Sequence, residues 1–110
     1  MAMNDTFAAS EPPREEIDAL GGPTLVEFGA PWCGFCQAAQ GPLATAMAQH
    51  PNVRHIKIED GKGRRLGRSF AVKLWPTLVF LREGKEVARL VRPDDANAIR
   101  QALAQIDAAG

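Results

Sequence analysis

Apolar residues follow two different periods along the chain, and the change of period predicts an alternation of strands and helices. Mostly apolar runs at residues 24–28 and 77–81 are typical of strands that are buried on both faces of a sheet. Residues 53–59 and 86–91 alternate between apolar and polar side chains, which indicates two further strands. Spacings of three and four residues predict the helices, which in chain order are residues 14–20, a helix that follows Cys36 and ends near residue 49, a short one within 61–70, and one from about residue 95 to 106.

The order of these elements predicts the fold class. A first strand–helix–strand unit should be parallel with a right-handed crossover, and a hairpin turn at residues 82–85 should add an antiparallel edge strand. Helices would then cover both faces of a mixed sheet. We therefore predict one α/β domain over residues 14–110, with a four- or five-stranded central sheet. Residues 1–13 are small and polar and end in two prolines, so we expect them to form a flexible arm.

Composition and charge exclude several classes of protein. The chain has 110 residues, of which 45% are hydrophobic and 24% are charged, as in one soluble domain. Thirteen basic and thirteen acidic residues give a formal net charge of zero, which argues against general nucleic-acid or membrane binding. No apolar run approaches the length of a membrane span, and residues 1–16 contain no stretch like the core of a signal peptide. We therefore expect a cytoplasmic protein, where a cysteine pair is more often catalytic or metal-binding than a structural disulfide.

The two cysteines of the chain, Cys33 and Cys36, lie where the first predicted strand gives way to a helix. A Cys-x-x-Cys at such a junction is a redox centre or half of a zinc site. Structural zinc usually needs four ligands, and His50 and His55 have no ligand-like spacing to the pair, so we favour redox chemistry. At a helix N-terminus the sulfur of Cys33 would meet unpaired backbone N–H groups, which favour the thiolate. Cys33 is the candidate nucleophile, and Cys36 is the candidate resolving thiol.

A carboxylate precedes the cysteines in the predicted central strand. Glu27 lies six residues before Cys33, and burial of a carboxylate disfavours its charged form, so Glu27 is the candidate proton acceptor for Cys36. Lys57 on the neighbouring strand is its candidate partner, because buried carboxylates tend to be paired. The alternatives are a solvated Glu27 at the edge of the strand and a Lys57 that faces solvent.

Four features of the chain are similar to the thioredoxin family over about residues 24–110. They are residues 26–28 before the cysteines, the motif Trp32-Cys33-Gly34-Phe35-Cys36, Pro76-Thr77 at the start of the third strand, and Gly84 in the hairpin. The resemblance implies a thioredoxin fold, thiol–disulfide exchange and a cis peptide bond before Pro76. The chain departs from the family where Phe35 replaces a proline and Glu27 replaces an aspartate. The first strand of the family's fold has no convincing counterpart before Ser10 in this chain.

The resemblance also implies a function and its partners. The chain would reduce disulfide bonds in protein substrates as a monomer, without a tightly bound cofactor, and a thioredoxin-reductase-type flavoprotein would supply the electrons. The substrate would contact an apolar rim and the backbone around the motif, formed by Trp32, Gly34, Phe35, Trp75 and Pro76. The alternatives are a disulfide oxidase or isomerase, because Phe35 replaces the proline, and a protein-binding module or chaperone that uses the apolar rim.

One basic run has two interpretations. It comprises Lys62, Arg64, Arg65, Arg68 and Lys73. The simpler interpretation is a solvated helix face, and the second is a patch that steers an acidic partner.

Overall fold

The computed structural model describes residues 3–107. Strands and helices alternate in the order that the hydrophobic pattern predicts. The elements are α1 (Arg14–Asp18), β1 (Pro23–Gly29), α2 (Gly34–Met47), β2 (Arg54–Glu59), α3 (Arg65–Ser69), β3 (Thr77–Arg82), β4 (Lys85–Val91) and α4 (Ala96–Ile106).

The strands form a mixed sheet in the order β2-β1-β3-β4. β1 runs parallel to β2 and antiparallel to β3, and β4 pairs with β3 as the antiparallel edge. This arrangement confirms the predicted mixed sheet, with four strands in residues 3–107. In place of a fifth strand, Phe7 makes one isolated parallel bridge to Lys57, where the N–H of Ala8 donates to the Lys57 carbonyl at 2.9 Å.

Helices cover both faces of the sheet because the central strands are apolar on both sides. Every residue of β1 from Thr24 to Gly29 is buried, and β3 is buried from Thr77 to Leu81. Leu25 packs in one hydrophobic cluster with residues of α2 and α4, and Val26 packs in the other with residues of α1 and α3. The sheet therefore separates two cores, and the cysteines lie just beyond the carboxyl end of its buried strand β1.

Two helices end earlier than the pattern predicts, and the last helix begins at a side-chain cap. α1 ends at Asp18 rather than residue 20, before a turn that contains Gly22 at a φ of +73°. α2 ends at Met47 rather than near residue 49, and a turn in which the N–H of His50 donates to the carbonyl of Met47 leads on to Pro51. The carboxylate of Asp95 caps α4 by accepting the N–H of Asn97 at 2.8 Å.

The described part of the predicted arm, residues 3–13, contacts the domain at several points. The N–H of Asn4 donates to Nδ1 of His55 at 2.9 Å, and Phe7 lies against the ammonium group of Lys57. The carboxylate of Glu11 accepts the N–H of Leu66 at the start of α3. The domain boundary at residue 13 stays a prediction, but these contacts bring the arm next to the polar residues of β2.

Candidate active site

Cys33 is the N-cap of α2, at the predicted junction of strand and helix. Its Sγ accepts the N–H of Cys36 at 3.1 Å, as the side-chain oxygen of a usual N-cap residue would. The N–H of Cys33 donates to the carbonyl of Ala30 at 3.2 Å, which closes the turn that leads into the helix. Both cysteines are free thiols and both are buried, with 7% of Cys33 and 3% of Cys36 exposed. The sulfur of Cys33 therefore lies at the positive, N-terminal end of the α2 dipole, and Cys36 lies in the first turn of the helix.

Cys36 is held in its protonated form. Burial, together with a hydrogen bond to Cys33 and the negative charges of Cys33 and Glu27, raises the pKa of Cys36 from 9.0 to about 12. A thiol with this pKa is almost entirely protonated at neutral pH, whereas thiolate is the nucleophilic form. Cys36 therefore needs a proton acceptor when it attacks.

Gly29, the last residue of β1, gives the sulfur of Cys36 its space. A Cβ atom at Gly29 would lie 2.6 Å from Cys36 Sγ, which is closer than real Cβ contacts allow. The motif and the hydrophobic pattern did not single out this residue. A glycine that ends a buried strand next to the motif was the available signal, because glycine in a strand often marks the close approach of another group.

Glu27 is fully buried and is held by two hydrogen-bond donors. Its Oε1 lies 2.8 Å from Nε2 of His55, and its Oε2 accepts from Nε2 of Gln40 at 2.9 Å. Because the N–H of Asn4 donates to Nδ1 of His55, that nitrogen is the acceptor and the imidazole proton of the neutral ring lies on Nε2, facing Glu27. Gln40 also donates to the carbonyl of Cys36 at 2.9 Å, which ties the carboxylate to the first turns of α2.

Lys57 reaches Glu27 only through Gln40, so the direct pairing predicted between them is wrong. Its Nζ donates to Gln40 Oε1 at 3.3 Å and lies 4.7 Å from the ring centroid of Phe7. The side chains that hydrogen-bond to Glu27 are instead His55 on β2 and Gln40 on α2, and sequence reasoning missed both. The two strands place Lys57 opposite Glu27, but the long lysine side chain contacts α2 and the arm, while the shorter imidazole meets the carboxylate. Both Glu27 and Lys57 are buried, which excludes the solvated alternatives.

A small cavity joins the second thiol to the buried ammonium group. It has a volume of about 50 Å³, and Cys36, Gln40 and Lys57 are among the residues that line it. A pocket of this size has room for a water molecule. Cys36 and Lys57 therefore line the same small pocket.

The Trp75–Pro76 peptide bond is cis, as the resemblance implies. Pro76 is buried, and Trp75 packs against the cluster that contains both cysteines. The indole N–H of Trp75 donates to Asp60 Oδ2 at 2.9 Å, and its carbonyl accepts from Nε of Arg92 at 2.9 Å. Two hydrogen bonds, one to Asp60 and one from Arg92, therefore hold Trp75, the residue before the cis bond.

Apolar side chains surround the cysteines on the surface. Trp32 is 71% exposed and Phe35 is 58% exposed, so neither ring packs beneath the motif. The ring of Trp32 meets that of Trp75 edge to face at 5.5 Å, and the guanidinium of Arg92 lies 4.1 Å from the centroid of Phe35. Gly34 is exposed, and a Cβ atom added to it would have no neighbour within 4 Å, so it leaves the surface between these rings open.

Residues 3–107 contain no cluster of three or more His, Cys, Asp or Glu side chains that could hold a metal ion. None of the helices in this part of the chain has the length and apolar character needed to cross a membrane.

Comparison with known proteins finds similarity to thioredoxins along almost the whole chain. The family model named Thioredoxin matches residues 8–105. The solved structure of thioredoxin 2 from Pseudomonas aeruginosa PAO1 in its reduced form has 56% sequence identity and a TM-score of 0.85, with 98% of this chain and 100% of that chain covered. Thioredoxin Asp f 28 from Aspergillus fumigatus is 26% identical over 108 residues, which are 98% of this chain and 100% of that protein. A thioredoxin from Chlamydia muridarum is 35% identical over 78 residues, which are 71% of this chain and 76% of that protein. The range 8–105 includes the cysteines, Glu27 and His55, and it leaves out Asn4 and Phe7.

Proposed function

The chain belongs to the thioredoxin family, and we propose that it is a thiol–disulfide oxidoreductase that works as a reductase of protein disulfides. The family, the fold and the cysteine pair support the oxidoreductase, and the direction is our proposal. The observation that supports thiol–disulfide exchange is the difference between the surroundings of the two thiols. Cys33 Sγ accepts an N–H at the start of α2, whereas Cys36 lies behind it with a pKa raised to about 12. Cys33 is therefore the thiol that attacks the substrate disulfide, and Cys36 stays protonated until the second step.

The first step forms a mixed disulfide. The thiolate of Cys33 attacks one sulfur of the substrate disulfide, the S–S bond breaks, and the other substrate sulfur leaves as a thiolate that takes a proton from water. The N–H of Cys36 and the N-terminal end of α2 stabilise negative charge on Cys33 Sγ. The first substrate thiol is then free, and the second stays bound to Cys33.

The second step uses the buried polar residues. Cys36 gives its proton to Glu27 and attacks Cys33 Sγ, which releases the second substrate sulfur and forms the Cys33–Cys36 disulfide. Two electrons have then passed to the substrate. Lys57 lines the same small pocket as Cys36, and its positive charge would stabilise the thiolate as it forms. A thioredoxin-reductase-type flavoprotein would return two electrons to the disulfide and restore both thiols.

The surface around the motif would bind the substrate. The exposed rings of Trp32 and Phe35 would contact apolar side chains beside the substrate disulfide. Gly34 leaves the approach to Cys33 open, and the backbone of Trp75 before Pro76 would align an extended segment. We propose that the protein acts as a monomer in the cytoplasm, where the glutathione pool keeps such thiols reduced.

Insulin reduction with dithiothreitol tests the two steps separately. We expect Cys33→Ser to abolish turnover, and Cys36→Ser to accumulate a mixed disulfide that mass spectrometry detects on Cys33. Turnover by Cys33→Ser would overturn the proposed function. A redox titration against glutathione tests the direction, since thioredoxins have potentials of about −270 mV and the oxidant DsbA about −120 mV. A value near the second would overturn the reductase assignment and favour the oxidase.

The exposed apolar rim supports one second candidate, a protein-binding module. In that case the rings of Trp32 and Phe35, rather than the thiols, would carry the function. Cys33→Ser would then keep partner binding and cellular function, while Phe35→Ala would lose both. The reductase predicts loss of cellular function in Cys33→Ser.

A further inference from the structure

A basic groove lies beside the redox site. It has a volume of about 570 Å³, and its lining includes four cationic side chains and one carboxylate. The charged lining residues are Lys62, Arg64, Arg68, Lys73 and Asp60. Trp75 also lines the groove, and the same residue packs against the cluster that contains Cys33 and Cys36. The groove and the redox site therefore share a wall.

Most of the positive charge in the groove is not neutralised by the protein. Arg64 pairs with Glu59 at 3.6 Å. Across residues 3–107, no carboxylate forms an ion pair with Lys62, Arg68 or Lys73. These three cations are gathered at one groove in a chain whose formal net charge is zero. The charge is thus a local feature of this surface.

The carboxylate in the groove is held by other contacts. Asp60 Oδ2 accepts the indole N–H of Trp75 at 2.9 Å, and the N–H of Asp60 donates to the carbonyl of Gly29 at 2.8 Å. A Cβ atom at Gly67 would overlap Asp60 Oδ1, so the carboxylate packs directly against the middle of α3. Asp60 is therefore fixed against Trp75 and α3, and the cations remain available to a ligand.

We propose that this groove binds an acidic segment of the substrate protein, so that disulfides with Asp or Glu side chains nearby in the sequence are preferred. The inference rests on the proposed function, because the ligand is part of the substrate whose disulfide Cys33 attacks. Ion pairs with Lys62, Arg68 and Lys73 would add to the apolar contacts of the rim, and complementary charge would raise the rate of encounter. A groove of this volume accommodates several side chains of an extended segment.

Two matched peptides test the proposal. They carry the same disulfide, with three glutamates beside it in one and three glutamines in the other. At low salt we expect kcat/KM to be about five- to tenfold higher for the acidic peptide, because two or three exposed ion pairs together stabilise its complex by a factor of this size. Added sodium chloride should reduce the difference, because salt screens exposed charges.

Two charge variants locate the effect. Arg68→Gln with Lys73→Gln removes two cations of the groove and should bring the ratio of the peptides to within about twofold. The control, Arg82→Gln with Lys85→Gln, removes the same charge from the exposed hairpin at the far end of β3 and should keep the full preference. A loss of preference in both variants would assign the effect to total charge and overturn the proposal.

The outcomes separate this inference from the proposed function. Equal turnover of the two peptides by the native protein would overturn the acidic-segment proposal and leave the reductase intact. Failure to reduce either peptide would overturn the reductase itself. If sodium phosphate abolished the preference at an ionic strength where sodium chloride did not, phosphate would be competing with the acidic peptide for the cations of the groove, which would support the proposal.

Discussion

Gly29→Ala should disturb the resolving step by displacing one sulfur atom. The added Cβ would lie 2.6 Å from Cys36 Sγ, while ordinary contact begins at 3.4 Å, so the two atoms must separate by about 0.8 Å. The backbone of Gly29 does not have a positive φ, so alanine adds no strain there, and the whole perturbation is the contact with the sulfur. Cys36 is buried, so the shift acts against a packed core.

Both stability and activity should change by predictable amounts. Overpacking of this kind costs about 1–3 kcal/mol of unfolding free energy, which leaves a domain of typical stability folded. A displacement of about 1 Å at a reacting atom reduces the rate by roughly 100-fold. We expect the insulin-reduction rate to fall by about 10- to 100-fold, with a mixed disulfide on Cys33 that persists longer than in the native protein.

A second glycine provides the matched control. Gly41 is exposed on α2, and beyond its chain neighbours and its own helix a Cβ atom added to it would meet nothing within 4 Å. Gly41→Ala should keep full activity and change the unfolding free energy by less than about 1 kcal/mol, because the higher helix propensity of alanine is opposed by the clash of its Cβ with the ring of Pro42. Urea denaturation gives both free energies. A folded Gly29→Ala protein that reduces insulin within twofold of the native rate would refute the reasoning, and so would a variant that fails to fold.

Three further predictions follow from single contacts. Because the pKa of Cys36 is raised from 9.0 to about 12, the folded protein keeps a proton that the unfolded chain loses. The unfolding free energy should therefore fall between pH 9 and pH 12, and Cys36→Ser, which has no thiol to titrate, should show a smaller fall in urea denaturation at each pH. Asp95→Ala should cost about 1 kcal/mol by removing the cap of α4, whereas Asp94→Ala should cost less than about 0.5 kcal/mol; equal losses would contradict the cap. Gly84→Ala should cost about 3 kcal/mol or more, because its φ is +77° and the Cβ would lie 1.9 Å from the carbonyl oxygen of Asp18; an unchanged melting temperature would contradict this.

Local patterns predicted the parts of the fold that depend on neighbours in the sequence. The buried run of β1 and the four-residue spacing of Ala39, Leu43 and Met47 in α2 are periodic, and periodicity follows directly from backbone geometry. The ends of the helices were predicted less well. α2 ended two residues early because Pro51 shows only that a helix must stop before it, whereas the turn at residues 48–50 decides where the helix stops.

The polar residues beneath the motif required the tertiary structure, and His55 shows why. An alternating strand indicates which residues share a face, and His55 and Lys57 share one, but the pattern predicted that face to be the polar side. Both faces of β2 are largely covered, because α2 and the arm pack where solvent was expected. Once the face is buried, the carboxylate of Glu27 needs donors, and the nearest are an imidazole on β2 and an amide on α2. Which of several polar side chains meets a buried carboxylate depends on distances between elements that are far apart in the sequence. The roles of residues near the cysteines could therefore be predicted from the motif, whereas the hydrogen bonds that orient Glu27 could not.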